Sequence, residues 1–281
     1  MATFRLDITN VWLLGWSTLC CMLPAHSAEP TSPGDVSNDS LQPYQARYAI
    51  YRNGKLTGKT ELTLLRRGER WVIRSAGSGT HGLARILAAR DNEEVNGRLQ
   101  DGRFRPDRYT RHTRVAGIDD RWRVEFDWAT RRVSIAHDED DPLWLDMIED
   151  SLDPLTLKLE MRRRLRQGDL PLHFQMVEED EIDEQKFRLL PREWMETSLG
   201  CLLTVPVEKI RYESKRYTRA WHAPALEFIE VRVEHGKSGG NHWELRITEL
   251  SFDGSDVAPS PGCAAMQSKA SETRPPGSEG Q

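Results

Sequence analysis

The dominant pattern along the chain is a two-residue alternation of apolar and polar positions. Trp122, Val124, Phe126 and Trp128 alternate with Arg121, Arg123, Glu125 and Asp127. One face of that segment is apolar and the other fully charged, the mark of a half-buried strand. The same period runs through Tyr44, Ala46, Tyr48 and Ile50, then Leu62 and Leu64, then Trp71 and Ile73, then Val133 and Ile135. Later it returns in Leu203, Val205 and Val207, in Tyr217, Arg219 and Trp221, in Ile229, Val231 and Val233, and in Trp243, Leu245 and Ile247. A slip of phase to Leu250 and Phe252 predicts a bulge in the last strand. Turn residues separate these runs: Asn53-Gly54, Arg67-Gly68, Asp101-Gly102, Ala116-Gly117, Ser198-Leu199-Gly200 and the stretch 236–241. Asn-Gly is a strong two-residue hairpin signal.

The period changes once. Asp153 reads as an N-cap and Pro154 as a first helical residue, Leu155, Leu159 and Leu165 form an apolar stripe with Met161 beside it, and Gly168 supplies a stop. This predicts a helix over 153–167, with Arg162, Arg163, Arg164 and Arg166 in its last turns, where a helix dipole favours cations. A short helical turn is predicted at 82–88. The fold class is therefore all-β: a single curved antiparallel sheet of about 11 or 12 strands, closing as a barrel, half-barrel or β-roll to cover its apolar face.

The ends break the pattern. An apolar run at 11–23 follows Arg5 and precedes Ala25-His26-Ser27-Ala28. Too short to span a bilayer comfortably, it reads as a signal peptide over 1–28, with cleavage after Ser27 or Ala28. Leu19 directly before Cys20 argues against lipidation. Residues 29–41 read as a polar linker, 42–253 as the folded unit, and 254–281, without aromatics or periodicity, as a disordered tail. Export would make a bridge between Cys201 and Cys263 feasible, while placing one cysteine in a flexible tail weakens it; both readings stand.

The chain has 281 residues and a formal charge of −5, with 39 Lys and Arg against 44 Asp and Glu. Much of the deficit lies in the two ends, so the central domain is nearly neutral. That lacks the basic footprint of general nucleic-acid binding. No transmembrane segment is expected after signal cleavage. The arginine-rich stretch 103–132 contains interleaved acids and reads as charged outer faces of strands.

Residues 77–82 match G-x-G-x-x-G literally. A dinucleotide site requires a βαβ unit with buried parallel strands, and neither the half-polar strand before it nor the polar stretch after it fits. No zinc motif occurs, and the G-x-S-x-G match at 236–240 lies in a predicted turn between strands rather than in the strand-to-helix turn of a nucleophile elbow; His235 and His242 flank that hairpin without a visible third ligand. Acidic runs at 138–141 and 178–184 do not match a calcium loop and read as solvated loops. No cofactor or metal is expected.

Four short motifs appear together: YAIYRNGKLTG at 48–58, Phe126-Asp127-Trp128, LDPLT at 152–156, and Trp221-His222-Ala223-Pro224. In this order, across nearly all of 44–252, they resemble the exported bacterial family catalogued as domain of unknown function 3108. The family pattern usually carries a proline in the strand after the last motif, where this chain has Glu230. The resemblance implies a periplasmic all-β protein and supplies no catalytic residues. With seven tryptophans beyond the signal, the expected function is a non-enzymatic binding or carrier protein for a lipid or other apolar or amphipathic envelope ligand. The candidate lining residues are Trp122, Trp128 and Trp221, with the opening near 77–88 or the 153–167 helix. The alternative is an envelope protein-interaction or assembly module. A third reading, an enzyme with paired carboxylates such as Asp127 and another acid, has no visible pair.

Overall fold

The computed structural model describes residues 41–265 apart from positions 149 and 213. The expected signal peptide, nearly all of the linker and the last part of the tail lie outside the described residues. A long meander begins the fold: β1 (Tyr44–Arg52), β2 (Lys55–Arg67), β3 (Arg70–Gly79), α1 (Gly82–Ile86), β4 (Arg90–Gln100), β5 (Arg103–Val115), β6 (Ile118–Asp127), β7 (Arg132–His137) and β8 (Leu143–Asp146). Then come β9 (Ser151–Leu152), α2 (Pro154–Gln167), β10 (Leu172–Val177), β11 (Ile182–Leu189), β12 (Glu193–Thr197), β13 (Gly200–Lys209), β14 (Arg216–Ala223), β15 (Ile229–Lys237), β16 (His242–Phe252) and β17 (Ser255–Asp256).

All strands join one sheet. From β1 it runs in one direction through β2 to β8, and in the other through β16, β15, β14, β13, β11 and β10 to β9. The pairings are antiparallel except β9 with β10. The sheet is open, with β8 and β9 as its edges, and near the seam between them the His137 imidazole at the end of β7 reaches the Glu179 carbonyl after β10 at 3.3 Å. The strand count exceeds the expected number because short pieces such as β8, β9, β12 and β17 carry too few residues to show a period.

Local chemistry matches the sequence at most turns. Asn53 and Gly54 both take positive φ, 50° and 76°, as a tight right-twisted hairpin requires. Asp153 caps α2 by accepting from the backbone N–H of Leu155 and Thr156 at 2.9 and 3.0 Å, and Gly168 ends it in the left-handed region.

The position of α2 differs from the expectation of a helix beside an opening. It lies inside the curved sheet, packed on β3, β4, β5 and β10. Leu155 and Leu159 join the main core around Tyr44, Trp71 and Val124. Leu157, Met161 and Leu165 join a second core with Phe174, Phe187 and Val207. A helix with two apolar faces is buried nearly all round, and its inward cations must find partners. Arg163 pairs with Glu160 at 2.9 Å, and Glu160 also accepts from the Phe104 N–H at 2.7 Å. Of the arginines in the last turns, where the dipole favours cations, Arg162 and Arg163 are buried.

The ends are also corrected. Leu41, assigned to the linker, is part of the core. Residues 255–265, assigned to a disordered tail, are tied down: Val257 packs on the core, Ser260 N–H donates to the Leu199 carbonyl, and Cys263 is bonded to Cys201. The disulfide supplies the anchor that composition alone could not reveal.

Two outcomes follow. Replacing both Cys201 and Cys263 by Ser should cost about 2–4 kcal/mol, since the bridge closes a long loop. An unchanged urea midpoint would contradict that anchoring role. Burial pushes the Asp153 carboxyl up to about 6, against the hydrogen bonds from Thr156 and Leu155 that lower it. A carboxyl raised on folding contributes stability that is full below about pH 4 and lost as pH rises through about 6. Asp153→Asn keeps the cap and removes the proton, so its stability relative to wild type should rise by up to about 3 kcal/mol between pH 4 and 7. A pH-independent difference in urea titrations would refute the raised value.

Candidate functional site: the barrel cavity

α2 fills the half of the barrel near Tyr44, and the other half is hollow. The cavity measures about 970 Å³. Burial changes along single strands: Tyr44, Ala46 and Tyr48 are buried, while Ile50, next on the same face, is only half-buried because it faces the cavity. Cross-strand partners repeat this. Leu245 lies opposite Ile50, and Val233 opposite both Leu245 and Ala220. All four are cavity-facing and half-buried.

Beneath this apolar band lies a polar floor. Lys158 of α2 reaches Glu230 of β15 at 2.7 Å. A bulge aims Glu230 inward: Trp221 pairs with Arg232 and His222 with Glu230, leaving Val231 as the extra residue. Burial pushes the Glu230 carboxyl up, but Lys158, His222 and Arg162 together outweigh it and hold it below the ordinary carboxylate range. Burial likewise lowers Lys158, but Glu230 with Tyr44 and Glu93 more than restores it, leaving it raised. The side chains keep 34% and 14% of their surface, facing the enclosed space. His222 donates through Nδ1 to the Phe228 carbonyl at 3.0 Å, and burial holds its pKa down. That bond clamps Glu227 and Phe228, both at positive φ, while Arg162 donates to the Glu227 carbonyl.

A second polar set stands on β4 and β5. Tyr109 Oη donates to Glu93 at 2.7 Å, and Arg111 and Thr113 donate to Asp91 at 3.0 and 2.6 Å. Burial and the nearby Asp91 raise the Glu93 carboxyl, partly offset by Arg111. At the mouth stand Arg52, Lys55, Arg90 and Lys237. The mouth is formed by the β1–β2 and β15–β16 turns and by α1.

The three tryptophans separate. Trp122 faces the cavity, edge-on to Tyr109 and stacked on His137, and its buried indole N–H has no partner. Trp128 does not line it: it donates to the Pro106 carbonyl at 2.7 Å beneath Arg105. Trp221 points to the opposite face of β14, donating to Glu193 between Arg219 and Arg232. Trp128 lies in the turn after β6, and Trp221 on a strand position that faces β12. Asp127 is no half of a carboxylate pair; it accepts from the Ala129 and Thr130 N–H groups and caps the β6–β7 turn. His235 bonds Thr218 and His242 bonds Tyr217, so the two do not share a site. No cluster of three metal-ligating side chains occurs among the described residues.

The floor residues escaped the sequence reading. Asp91, Glu93 and Val95 alternate on one face, but pairing them with Thr113, Arg111 and Tyr109 requires the bulge at Asn96/Gly97. Counting back from Asp101-Gly102 without that extra residue puts every pair out by one.

Residues 43–240 match the sequence profile of the family described as "Protein of unknown function (DUF3108)". The chain belongs to the DUF3108 family. Among solved structures, this DUF3108 member is similar to a β-barrel-like protein of domain of unknown function DUF1849 from Brucella abortus. That likeness has 10% identity and a TM-score of 0.51 over 76% of this chain and 98% of the other. A protein described as exported with a YmcC-like fold, from Bacteroides fragilis, shares 10% identity over 75% of this chain and 97% of its own, with a TM-score of 0.34. No curated protein sequence matches. The DUF3108 motifs have structural tasks here: the Asn53-Gly54 turn, the Asp127 turn cap, the Asp153 helix cap and the His222 clamp.

Lys158→Met or Glu230→Leu alone should destabilise by about 2–3 kcal/mol, less than a dry buried pair because cavity water remains. The double variant should recover most of that loss in a urea double-mutant cycle. Strictly additive losses would mean the pair does not couple.

Proposed function

We propose that this protein is a non-enzymatic periplasmic binding or carrier protein for an amphipathic envelope ligand. The observation that carries the reading is the half-buried state of Ile50, Ala220, Val233 and Leu245 around a space of about 970 Å³. Apolar side chains are normally packed to crystal-like density, and a hollow of this size with a few converging polar groups is the usual form of a small-molecule site. The apolar band suits an acyl chain or similar tail. The polar floor and the cationic mouth offer two places for a head group. The disulfide and the signal-like N-terminus support an exported location.

Catalysis has weaker support. Of the cavity carboxylates, Asp91, Glu93 and Glu230 are engaged by Arg111, Tyr109 and Lys158, and the buried Glu178 accepts from Gln185 Nε2 at 3.1 Å. The assembly-module reading has one observation in its favour: the contact between His137 and Glu179 brings the acidic runs at 138–141 and 178–181 to one sector of the rim.

Native mass spectrometry of the purified exported chain, with a dansyl-labelled fatty acid as probe, tests the proposal. The wild type should take up the probe, and Ala220→Trp, which places a ring in the cavity, should weaken uptake by at least about tenfold. Equal uptake by both, or none by the wild type, would overturn it.

A further inference from the structure

The same end of the barrel carries a feature that ligand enclosure does not need. α1 has no buried residue, and it presents Leu83 and Ile86 at 66% and 79% exposure, with Leu56 of β2 exposed nearby on the rim. These side chains sit on a fastened knob rather than a slack loop. The N–H groups of Thr80 and His81 both donate to the Thr57 carbonyl, at 2.9 and 3.1 Å, and Ala116 N–H donates to the Leu87 carbonyl at 3.1 Å. Gly79 lets the segment close, since a Cβ there would stand 2.4 Å from the Ala84 carbonyl oxygen. Leu87 turns toward the cavity while Ile86 stays outside it.

Cations gather around the knob. Among the described residues, Arg52, Lys55, Arg85, Arg90 and Lys237 have no carboxylate partner. The acidic runs at 138–141 and 178–181 occupy the sector near the seam, several strands away. Thus the rim has an apolar, cationic side and an acidic side. Exposed Leu and Ile flanked by free Arg and Lys suit the interface of an anionic bilayer, where apolar side chains enter the acyl boundary and the cations meet headgroups.

We propose that the α1 sector docks this protein on the surface of an anionic lipid bilayer, with the cavity mouth against the headgroups. The ligand reading of the cavity gives this docking a purpose, but the two are tested separately.

Flotation of the purified full chain with vesicles of phosphatidylcholine alone, or of phosphatidylcholine with phosphatidylglycerol, is the test. The wild type should bind the anionic vesicles at least about tenfold better, and raising the salt should reduce that binding. Leu83→Ser with Ile86→Ser should lower it by about tenfold. Arg85→Glu with Arg90→Glu, a second route that leaves the apolar pair intact, should do the same. All variants share one N-terminus, so differences between them report the rim. Equal binding to both vesicle types, no binding, or variants that bind like wild type would overturn the proposal. So would self-association without vesicles that the same substitutions abolish, which would assign the patch to a second copy. Uptake of the dansyl-labelled fatty acid from solution should survive in Arg85→Glu alone, whose side chain lies outside the cavity lining. Loss of vesicle docking with uptake intact in the wild type overturns docking alone, and lost uptake with docking intact overturns the ligand reading alone.

Discussion

The fold depends on holding a charged helix inside a barrel. α2 carries Lys158, Glu160, Arg162 and Arg163 on surfaces that the sheet encloses, and a charge removed from water without a partner is among the costliest defects a protein can carry. Lys158 is met by Glu230 and Glu160 by Arg163 and the Phe104 N–H, while Arg162 donates through Nε to the Glu227 carbonyl and lies over the Tyr44 ring, with the Glu227 carboxylate 3.9 Å away and its Nη atoms without hydrogen bonds. These contacts come from β1, β5, β15 and the turn before β15. They fix the depth at which the helix stops, and so the division between a packed half and a hollow half.

That division orders the chemistry along the barrel axis. Inward positions on β1 pass from Tyr44 and Tyr48 to Ile50 and then to the region of Arg52. The wall therefore reads buried aromatic, polar floor, apolar band and cationic mouth. Two irregularities of the sheet make this gradient. The bulge at Val231 turns Glu230 inward opposite His222, and the bulge at Asn96/Gly97 brings Glu93 beside Arg111 and Tyr109. In regular strands of the same sequence Glu230 would face the opposite side, and so would Tyr109 and Arg111, leaving Glu93 without them.

Legibility followed the range of the interaction involved. Period-2 runs, the Asn53-Gly54 turn and the Asp153–Gly168 helix bounds are set by neighbours a few residues apart, and these were visible. The depth of α2 was not, because it depends on two apolar faces meeting strands far along the chain. The Cys201–Cys263 bridge was left open for the same reason. Of the three tryptophans, alternation correctly gave Trp122 an inward position. It misled for Trp221, because β12 covers the opposite face of β14 and makes an outward residue buried as well. Glu230 looked like a mild departure from a family pattern, yet it anchors the central ion pair.

The account stands on the claim that the upper barrel is a chamber shaped for a ligand, and a crystal structure of the protein grown with a saturated fatty acid tests it most directly. The account predicts continuous elongated density along Ile50, Val233 and Leu245, with one polar end at the Lys158–Glu230 floor or at the Arg52–Lys237 mouth. Side chains of the band and α1 collapsed into the space, leaving no room for a chain of that length, would contradict it.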